Sequence, residues 1–161
     1  MTSSEADPSD GAAVRFPPPI VTLIALALGV LLHRFVLPFA LPLEGPLRYG
    51  LCLVLLVAGI ALIAGALGRF RSTGQDPEPW VSTPEIISTG VYRFTRNPMY
   101  VSLGLLQAGI GVALANGWVV LFVPATWAGI YFVAIRHEEA YLERKFGSVY
   151  TDYKKSVRRW I

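Results

Sequence analysis

Residues 99–135 read MYVSLGLLQAGIGVALANGWVVLFVPATWAGIYFVAI and contain no Asp, Glu, Lys or Arg. The stretch divides into apolar runs at 99–114 and 118–135, which are separated only by residues 115–117. A connection this short joins two antiparallel helices, and each run is about as long as a helix that spans a bilayer. The sequence therefore predicts a transmembrane helical hairpin.

Two more apolar runs precede this hairpin, at residues 20–37 and 49–67. Each is long enough to cross a bilayer as a helix, and the second carries no charged residue. The whole chain of 161 residues is 53% hydrophobic and 16% charged, which is too apolar for an ordinary soluble domain of this size. The sequence therefore predicts an all-α integral membrane bundle of about four transmembrane helices.

The two ends of the chain have a different composition from the apolar runs. Residues 1–19 are polar, acidic and rich in Ser and Pro, and they lack the basic start of a signal peptide, so we predict a disordered cytoplasmic tail. Residues 136–161 mix charged residues with spaced apolar ones. This pattern predicts a C-terminal amphipathic helix at the membrane interface, broken near Gly147.

Lysine and arginine are distributed unevenly among the segments that connect the apolar runs. Arg69, Arg71, Arg93 and Arg96 lie in the connection at residues 68–98, more basic residues follow the last run, and the hairpin turn has none. By the positive-inside rule, this connection and both termini face the cytoplasm, as expected of an inner (plasma) membrane protein. The net charge of +3 does not indicate nucleic-acid binding, because the basic residues flank apolar runs instead of forming one soluble patch.

Three polar segments, at residues 75–89, 90–100 and 136–153, would meet at the cytoplasmic ends of the helices. Ionisable groups at such a boundary are functional candidates, because burying them unpaired costs several kcal/mol. We predict no metal site, because His137 has neither a Cys nor a second His nearby in the sequence. Cys52 is the single cysteine, so no intramolecular disulfide can form.

The residues just before the third apolar run suggest a site for an anion. Pro98 suits the first turn of a helix, and Asn97 before it is a plausible N-cap. Backbone N–H groups at this positive helix end would then be open to a carboxylate. The alternative is a capped helix flanked by arginines that extend to the membrane surface.

Two carboxylates, Glu138 and Glu139, directly follow the last apolar run. One that faces inward would accept hydrogen bonds from a ribose diol or an ammonium group. The alternative is a solvated pair of charges beside Arg136 and Lys145.

Several short motifs of the chain, taken together, resemble a known family. They are Gly90-Val91-Tyr92-Arg93, then Arg96-Asn97-Pro98-Met99-Tyr100, then Glu138-Glu139 with Leu142, Phe146-Gly147, Tyr150 and Tyr153. In their order and their placement against two apolar runs, they resemble the isoprenylcysteine carboxyl methyltransferase and phospholipid methyltransferase superfamily. The resemblance covers roughly residues 73–159, and the glycines at 109 and 111 resemble a paired-glycine element of phospholipid N-methyltransferases.

The resemblance implies a membrane methyltransferase domain at residues 20–161 that binds S-adenosylmethionine among helix ends. The acceptor would be lipidic or membrane-partitioned, either a phospholipid amine or an isoprenylcysteine-like carboxylate. By position, the implied cofactor contacts are Pro84, Glu85, Ile86, Ile87, Tyr92, Asn97, Pro98, Met99, Tyr100 and Glu138. The implied catalytic residues are Arg136, Glu139 and Tyr100. The alternative function is that of a noncatalytic membrane scaffold or lipid-binding subunit.

Two positions depart from the family pattern. Asn97 stands where the family more often has His, and it keeps both a donor and an acceptor. Ala134 stands where isoprenylcysteine enzymes have an arginine one helical turn before the matching glutamate. Without that cation, an acceptor carboxylate loses a partner that would offset its desolvation, so we expect an amine-bearing or neutral lipid to be preferred.

The charge distribution leads to a prediction of topology. Cysteines introduced at residues 75 and 156 in a Cys52→Ala background should both react with a membrane-impermeant thiol reagent only when it reaches the cytoplasmic face. Labelling of the two positions from opposite sides of the membrane would contradict the four-helix topology.

Overall fold

The structure, a computed structural model, describes residues 11–14 and 16–161. Within them it contains helices and no strands, which confirms the predicted all-α class. The helices are α1 (Pro18–Leu31, continued by a π turn at Leu32–Val36), α2 (Gly45–Thr73), α3 (Pro98–Ala113), α4 (Gly117–Leu121), α5 (Val123–Ile130, continued by a π turn at Tyr131–Ile135), α6 (Arg136–Phe146) and α7 (Ser148–Ser156). A 3₁₀ turn at Gly90–Arg93 lies in the connection between α2 and α3.

Among the described residues, three helical segments are long and apolar enough to cross a membrane. They are Pro18–Val36, Gly45–Thr73 and Gly117–Phe146, the last of which includes α4, α5 and α6 in succession. Helix α3 is apolar but shorter, and half of its residues are buried. All four predicted apolar runs are therefore helical, and α3, which packs along α2, is the enclosed one.

The helix ends differ from the predicted spans at two places. Helix α2 continues to Thr73 instead of ending near residue 67, and it closes at Gly74, whose φ of 67° suits a glycine after a helix. The predicted interfacial segment at 136 begins without a break from the last span, as α6. The end of an apolar run marks where charged residues begin. It does not mark the end of the helix, because the backbone hydrogen bonds continue through those charged residues.

Asn116 organises the hairpin turn between α3 and α4. Its side-chain oxygen accepts hydrogen bonds from the N–H groups of Trp118 (3.0 Å) and Val119 (3.2 Å), so it caps α4. Its amide nitrogen donates to the carbonyl oxygen of Gly29 at 3.1 Å. One buried side chain therefore caps α4 and ties the hairpin to α1.

Glycines allow the helices of the bundle to approach closely. A Cβ atom added at Gly109 would lie 2.8 Å from Leu56 of α2, and one at Gly111 would lie 2.7 Å from Val120 of α4. Larger side chains would force these helices apart. The two glycines that resemble a paired-glycine element therefore lie at helix–helix contacts.

The N-terminal segment, residues 11–14, packs against the bundle. Ala12 and Val14 are buried against Ala134 and Tyr141, and the Ala12 N–H donates to the Pro79 carbonyl at 2.9 Å. The disordered tail was predicted for residues 1–19, of which residues 1–10 and residue 15 lie outside the described part of the chain. In the described part, the structure differs from that prediction, because contacts with residues far along the chain hold this segment.

Gly104 of α3 gives a test of this packing. A Cβ atom there would lie 2.4 Å from Nε1 of Trp127, whose indole is fixed by a 3.0 Å hydrogen bond to the Tyr100 carbonyl. Gly104→Ala should therefore destabilise the protein by about 1–3 kcal/mol and lower its unfolding temperature in detergent. Gly50→Ala, where nothing lies within 4 Å of the new Cβ, is the matched control and should not lower that temperature.

Candidate active site

A cavity lies at one end of the bundle, where the end of α2, the connection after it, the start of α3, α6 and α7 come together. Aromatic side chains form much of its wall: Phe70, Tyr92, Tyr100, Tyr141, Tyr150 and Tyr153. Five carboxylates also line it: Asp76, Glu78, Glu85, Glu138 and Glu139. Among the described lining residues, Arg96 is the one Lys or Arg. The wall therefore combines apolar, acidic and phenolic groups with a single guanidinium.

Most of the residues predicted for the site line this cavity. They are Glu85, Ile86, Ile87, Tyr92, Asn97, Pro98, Met99, Tyr100, Glu138 and Glu139. Pro84 and Arg136, also predicted, are exposed and lie outside the cavity lining. Arg136 donates from Nε to His137 Nε2 (3.2 Å), and its guanidinium lies 5.8 Å from the ring centre of Phe132. Two residues along a helix turn the side chain by roughly 200°, so Arg136 and Glu138 point in different directions.

Asn97 occupies the N-cap position of α3, but its side chain does not cap the helix. Its amide nitrogen instead donates to the carbonyl of Arg159 at 3.0 Å. Asn97 therefore lies at the predicted N-cap position, but its side chain makes no capping hydrogen bond among the described residues. The Asn97 backbone carbonyl instead accepts from the N–H groups of Tyr100 and Val101, each at 3.0 Å, and Pro98 has no N–H to donate.

Glu138 and Tyr100 form the polar centre of the cavity wall. The Tyr100 hydroxyl donates a hydrogen bond to Glu138 Oε1. Within the part of the chain that the structure describes, Glu138 has no Lys or Arg partner. A carboxylate without a cation attracts a positive group or a hydroxyl donor in a ligand.

Two further tyrosines close the cavity beside the α2 end. The Tyr153 hydroxyl donates to the Tyr92 carbonyl at 2.7 Å, and the Tyr92 ring meets the Phe70 ring edge to face. Burial raises the pKa of the Tyr92 phenol well above its usual value and that of Tyr153 to about 12. Both phenols therefore stay neutral near pH 7 and present polarised rings and hydroxyl groups to a ligand.

Glu139 is enclosed by three cations. Arg159 contacts it twice, from Nε and from Nη2, each at 2.9 Å. Arg96 Nη2 lies 3.4 Å from Oε1, and Lys154 Nζ lies 3.9 Å from Oε2. A carboxylate held in this way keeps its negative charge and is a poor proton acceptor. The geometry therefore suits a counter-ion better than the catalytic role predicted for Glu139.

Arg96 lines the cavity, although it was not among the residues predicted to bind the cofactor or to act in catalysis. Its side chain is only 8% exposed, yet its Nε and Nη1 atoms have no hydrogen-bond partner among residues 11–14 and 16–161. Buried guanidinium donors without a partner are costly, and because Arg96 lines the cavity, a ligand carboxylate that reached the guanidinium would offset that cost. Arg96 is the first residue of the Arg96–Tyr100 motif, which was the signal that could have identified it. Its position beside an apolar run instead suggested an arginine that extends to the membrane surface.

Comparisons with known proteins identify a family and relatives of this chain. A family described as phospholipid methyltransferase has a model that matches residues 47–149, more than half of the chain. A protein-S-isoprenylcysteine O-methyltransferase of Dictyostelium discoideum is 34% identical over 73 residues, which make up 45% of this chain and 30% of that protein. An uncharacterized protein of Haemophilus influenzae is 41% identical over 63 residues, which make up 39% of this chain and 100% of that protein. The chain thus spans under a third of the length of the isoprenylcysteine relative.

Proposed function

Because the chain belongs to the phospholipid methyltransferase family, whose model matches residues 47–149, we propose that it methylates a lipidic or membrane-partitioned acceptor with S-adenosylmethionine. The observation that carries this proposal is the cavity at the end of the bundle. Among the described residues, it combines a guanidinium with two nitrogens that have no hydrogen-bond partner, Arg96, and a carboxylate with no Lys or Arg partner, Glu138. These groups are complementary to the opposite charges of an amino-acid zwitterion.

The residues present fit the cofactor. Arg96 would hold its carboxylate, because two buried donors of this side chain have no partner among the described residues. Glu138 would accept hydrogen bonds from its ribose diol or its ammonium group. The rings of Tyr92 and Tyr100 would lie beside its positive sulfur. When bound, the cofactor supplies an electrophilic methyl group; the protein holds the reactants in line and excludes water.

The acceptor side of the cavity favours an amine or a neutral lipid over a carboxylate. Ala134 is fully buried in a cluster with Ala12, Val14 and Tyr141, and Tyr100 packs against that cluster. Arg96 is the one Lys or Arg among the described residues of the cavity lining, and it is assigned above to the cofactor carboxylate; Arg136 lies outside the lining. An acceptor carboxylate would therefore enter without a fixed cation to offset its desolvation. For an amine acceptor, Glu138 is the group that would take the released proton.

We also propose that the cavity faces the cytoplasm in the inner membrane. Lys and Arg flank the cavity end of the bundle, from Arg69 and Arg71 to Arg158 and Arg159, whereas the hairpin turn at Asn116 carries none. A lipid headgroup at that interface would lie at the level of the cavity, and its acyl chains would remain among the helices.

Binding of S-adenosylmethionine and S-adenosylhomocysteine, measured by isothermal titration calorimetry in detergent, tests the proposal. The wild type should bind both, and Arg96→Gln and Glu138→Gln should each weaken binding by about 1–3 kcal/mol through loss of a charge-assisted hydrogen bond. Arg93→Gln, an exposed arginine near the same turn, is the control and should bind normally. A folded wild-type protein that binds neither compound would favour the scaffold or lipid-binding alternative.

The acceptor can be tested by comparing N-acetyl-farnesylcysteine with phosphatidylethanolamine under the same detergent conditions. Phosphatidylethanolamine should be methylated faster, because its amine matches the acidic wall and needs no cation at position 134. Efficient methylation of the prenylcysteine that is abolished by Arg136→Ala would show the opposite preference.

A further inference from the structure

We propose that Arg159 is a positioning residue, which occupies Glu139 and so keeps the Arg96 guanidinium available to the carboxylate of a bound cofactor. This inference rests on the proposed function and adds a residue outside the family match at 47–149. It concerns three side chains that share one buried site: Arg96 from the start of α3, Glu139 from α6 and Arg159 from the C-terminal segment.

The distances show an unequal sharing of Glu139. Arg159 approaches both carboxylate oxygens at 2.9 Å in a two-point contact, whereas Arg96 reaches one oxygen through a single nitrogen at 3.4 Å. Two-point arginine–carboxylate pairs are the stronger geometry. The hydrogen bond to Glu139 accordingly raises the pKa of Arg159 above its ordinary value. Glu139 is therefore satisfied mainly by Arg159, and Arg96 retains donors without a partner in the described chain.

Removal of Arg159 would change this balance. Glu139, only 8% exposed, would lose its two-point partner, and a buried carboxylate without a partner is strongly unfavourable. Lys154 is the other nearby cation, but it lies 3.9 Å away and is already paired with Glu143. Arg96 is the cation that can supply a second donor after a small rotation. The guanidinium would then turn towards Glu139 and away from the ligand.

The backbone of the C-terminal segment is anchored independently of the Arg159 side chain. The Arg158 carbonyl accepts from the Arg96 N–H (2.9 Å), and the Arg159 carbonyl accepts from Thr95 Oγ1 (3.1 Å) and Asn97 Nδ2 (3.0 Å). The Trp160 ring stacks on Trp127 at 5.3 Å. Side-chain variants of Arg159 should therefore leave the segment docked. Arg159→Ala also removes the contact of the guanidinium with the Tyr131 ring (4.9 Å), which a Glu139→Gln change does not restore.

The test compares the wild type, Arg159→Ala, Glu139→Gln and the double variant by their Kd for S-adenosylhomocysteine, which requires no turnover. Arg159→Ala should weaken binding by about tenfold, because Glu139 captures Arg96. Adding Glu139→Gln to Arg159→Ala should restore most of the affinity, because the amide no longer attracts the guanidinium. Arg159→Lys, which keeps a cation but not the two-point contact, should lie between the wild type and Arg159→Ala.

Arg158→Ala is the matched control, because this neighbouring side chain is exposed and the Arg158 carbonyl, which accepts from the Arg96 N–H, is kept in the variant. It should bind as tightly as the wild type. Wild-type affinity in Arg159→Ala, or an Arg159→Ala/Glu139→Gln double variant no tighter than Arg159→Ala, would overturn the role of Arg159 while leaving the proposed function standing. Absence of binding in the folded wild type would overturn both. Should Arg159→Ala not fold, Arg159→Lys with and without Glu139→Gln gives the same comparison.

Discussion

The structure of the site depends on one buried carboxylate, Glu139. A charge that is 8% exposed at a membrane boundary must be paired, and its partners come from the start of α3, from α7 and from the C-terminal segment. Arg96 lies far from Glu139 in the sequence, whereas Lys154 and Arg159 follow it in the C-terminal part of the chain. Their ion pairs with Glu139 connect them at the end of the bundle, where they line or adjoin the cavity. The ion-pair network therefore sets the charge beside the site, whether or not Glu139 touches a ligand.

Two neighbouring glutamates acquire different roles because a helix turns by about 100° per residue. Glu139 faces three cations, whereas Glu138 faces the Tyr100 hydroxyl and the cavity, with no cation partner in the described residues. The sequence shows two adjacent carboxylates but not which one is neutralised. The partners that decide this are Arg96 and Arg159, and they are brought in by tertiary contacts.

The bundle was predictable, since runs of apolar residues at bilayer length have few structural solutions other than helices. The segments that line the cavity were predictable for a related reason: polar groups at the helix ends must gather on one face. The roles of individual side chains were not. Asn97 gives its amide to Arg159 instead of capping α3, Arg136 turns to Phe132, and Arg96 is the buried cation. The contacts of Asn97 and Arg96 depend on distant residues, Arg159 and Glu139, which local pattern does not encode, whereas Arg136 contacts its near neighbours Phe132 and His137.

The two ends of the chain add parts to the cavity that the family match at 47–149 does not include. Ala12 lies in its wall and packs with the buried Ala134. Arg159 pairs with Glu139, which also contacts Arg96. The matched region supplies the cofactor groups proposed above, Arg96, Tyr100 and Glu138. The apolar residues Ala12 and Val14 limit the space near those groups, and Arg159 changes the charge near them. We therefore expect differences in acceptor preference among related chains to follow the residues that contact position 134 and Glu139, more than the Arg96–Tyr100 motif itself.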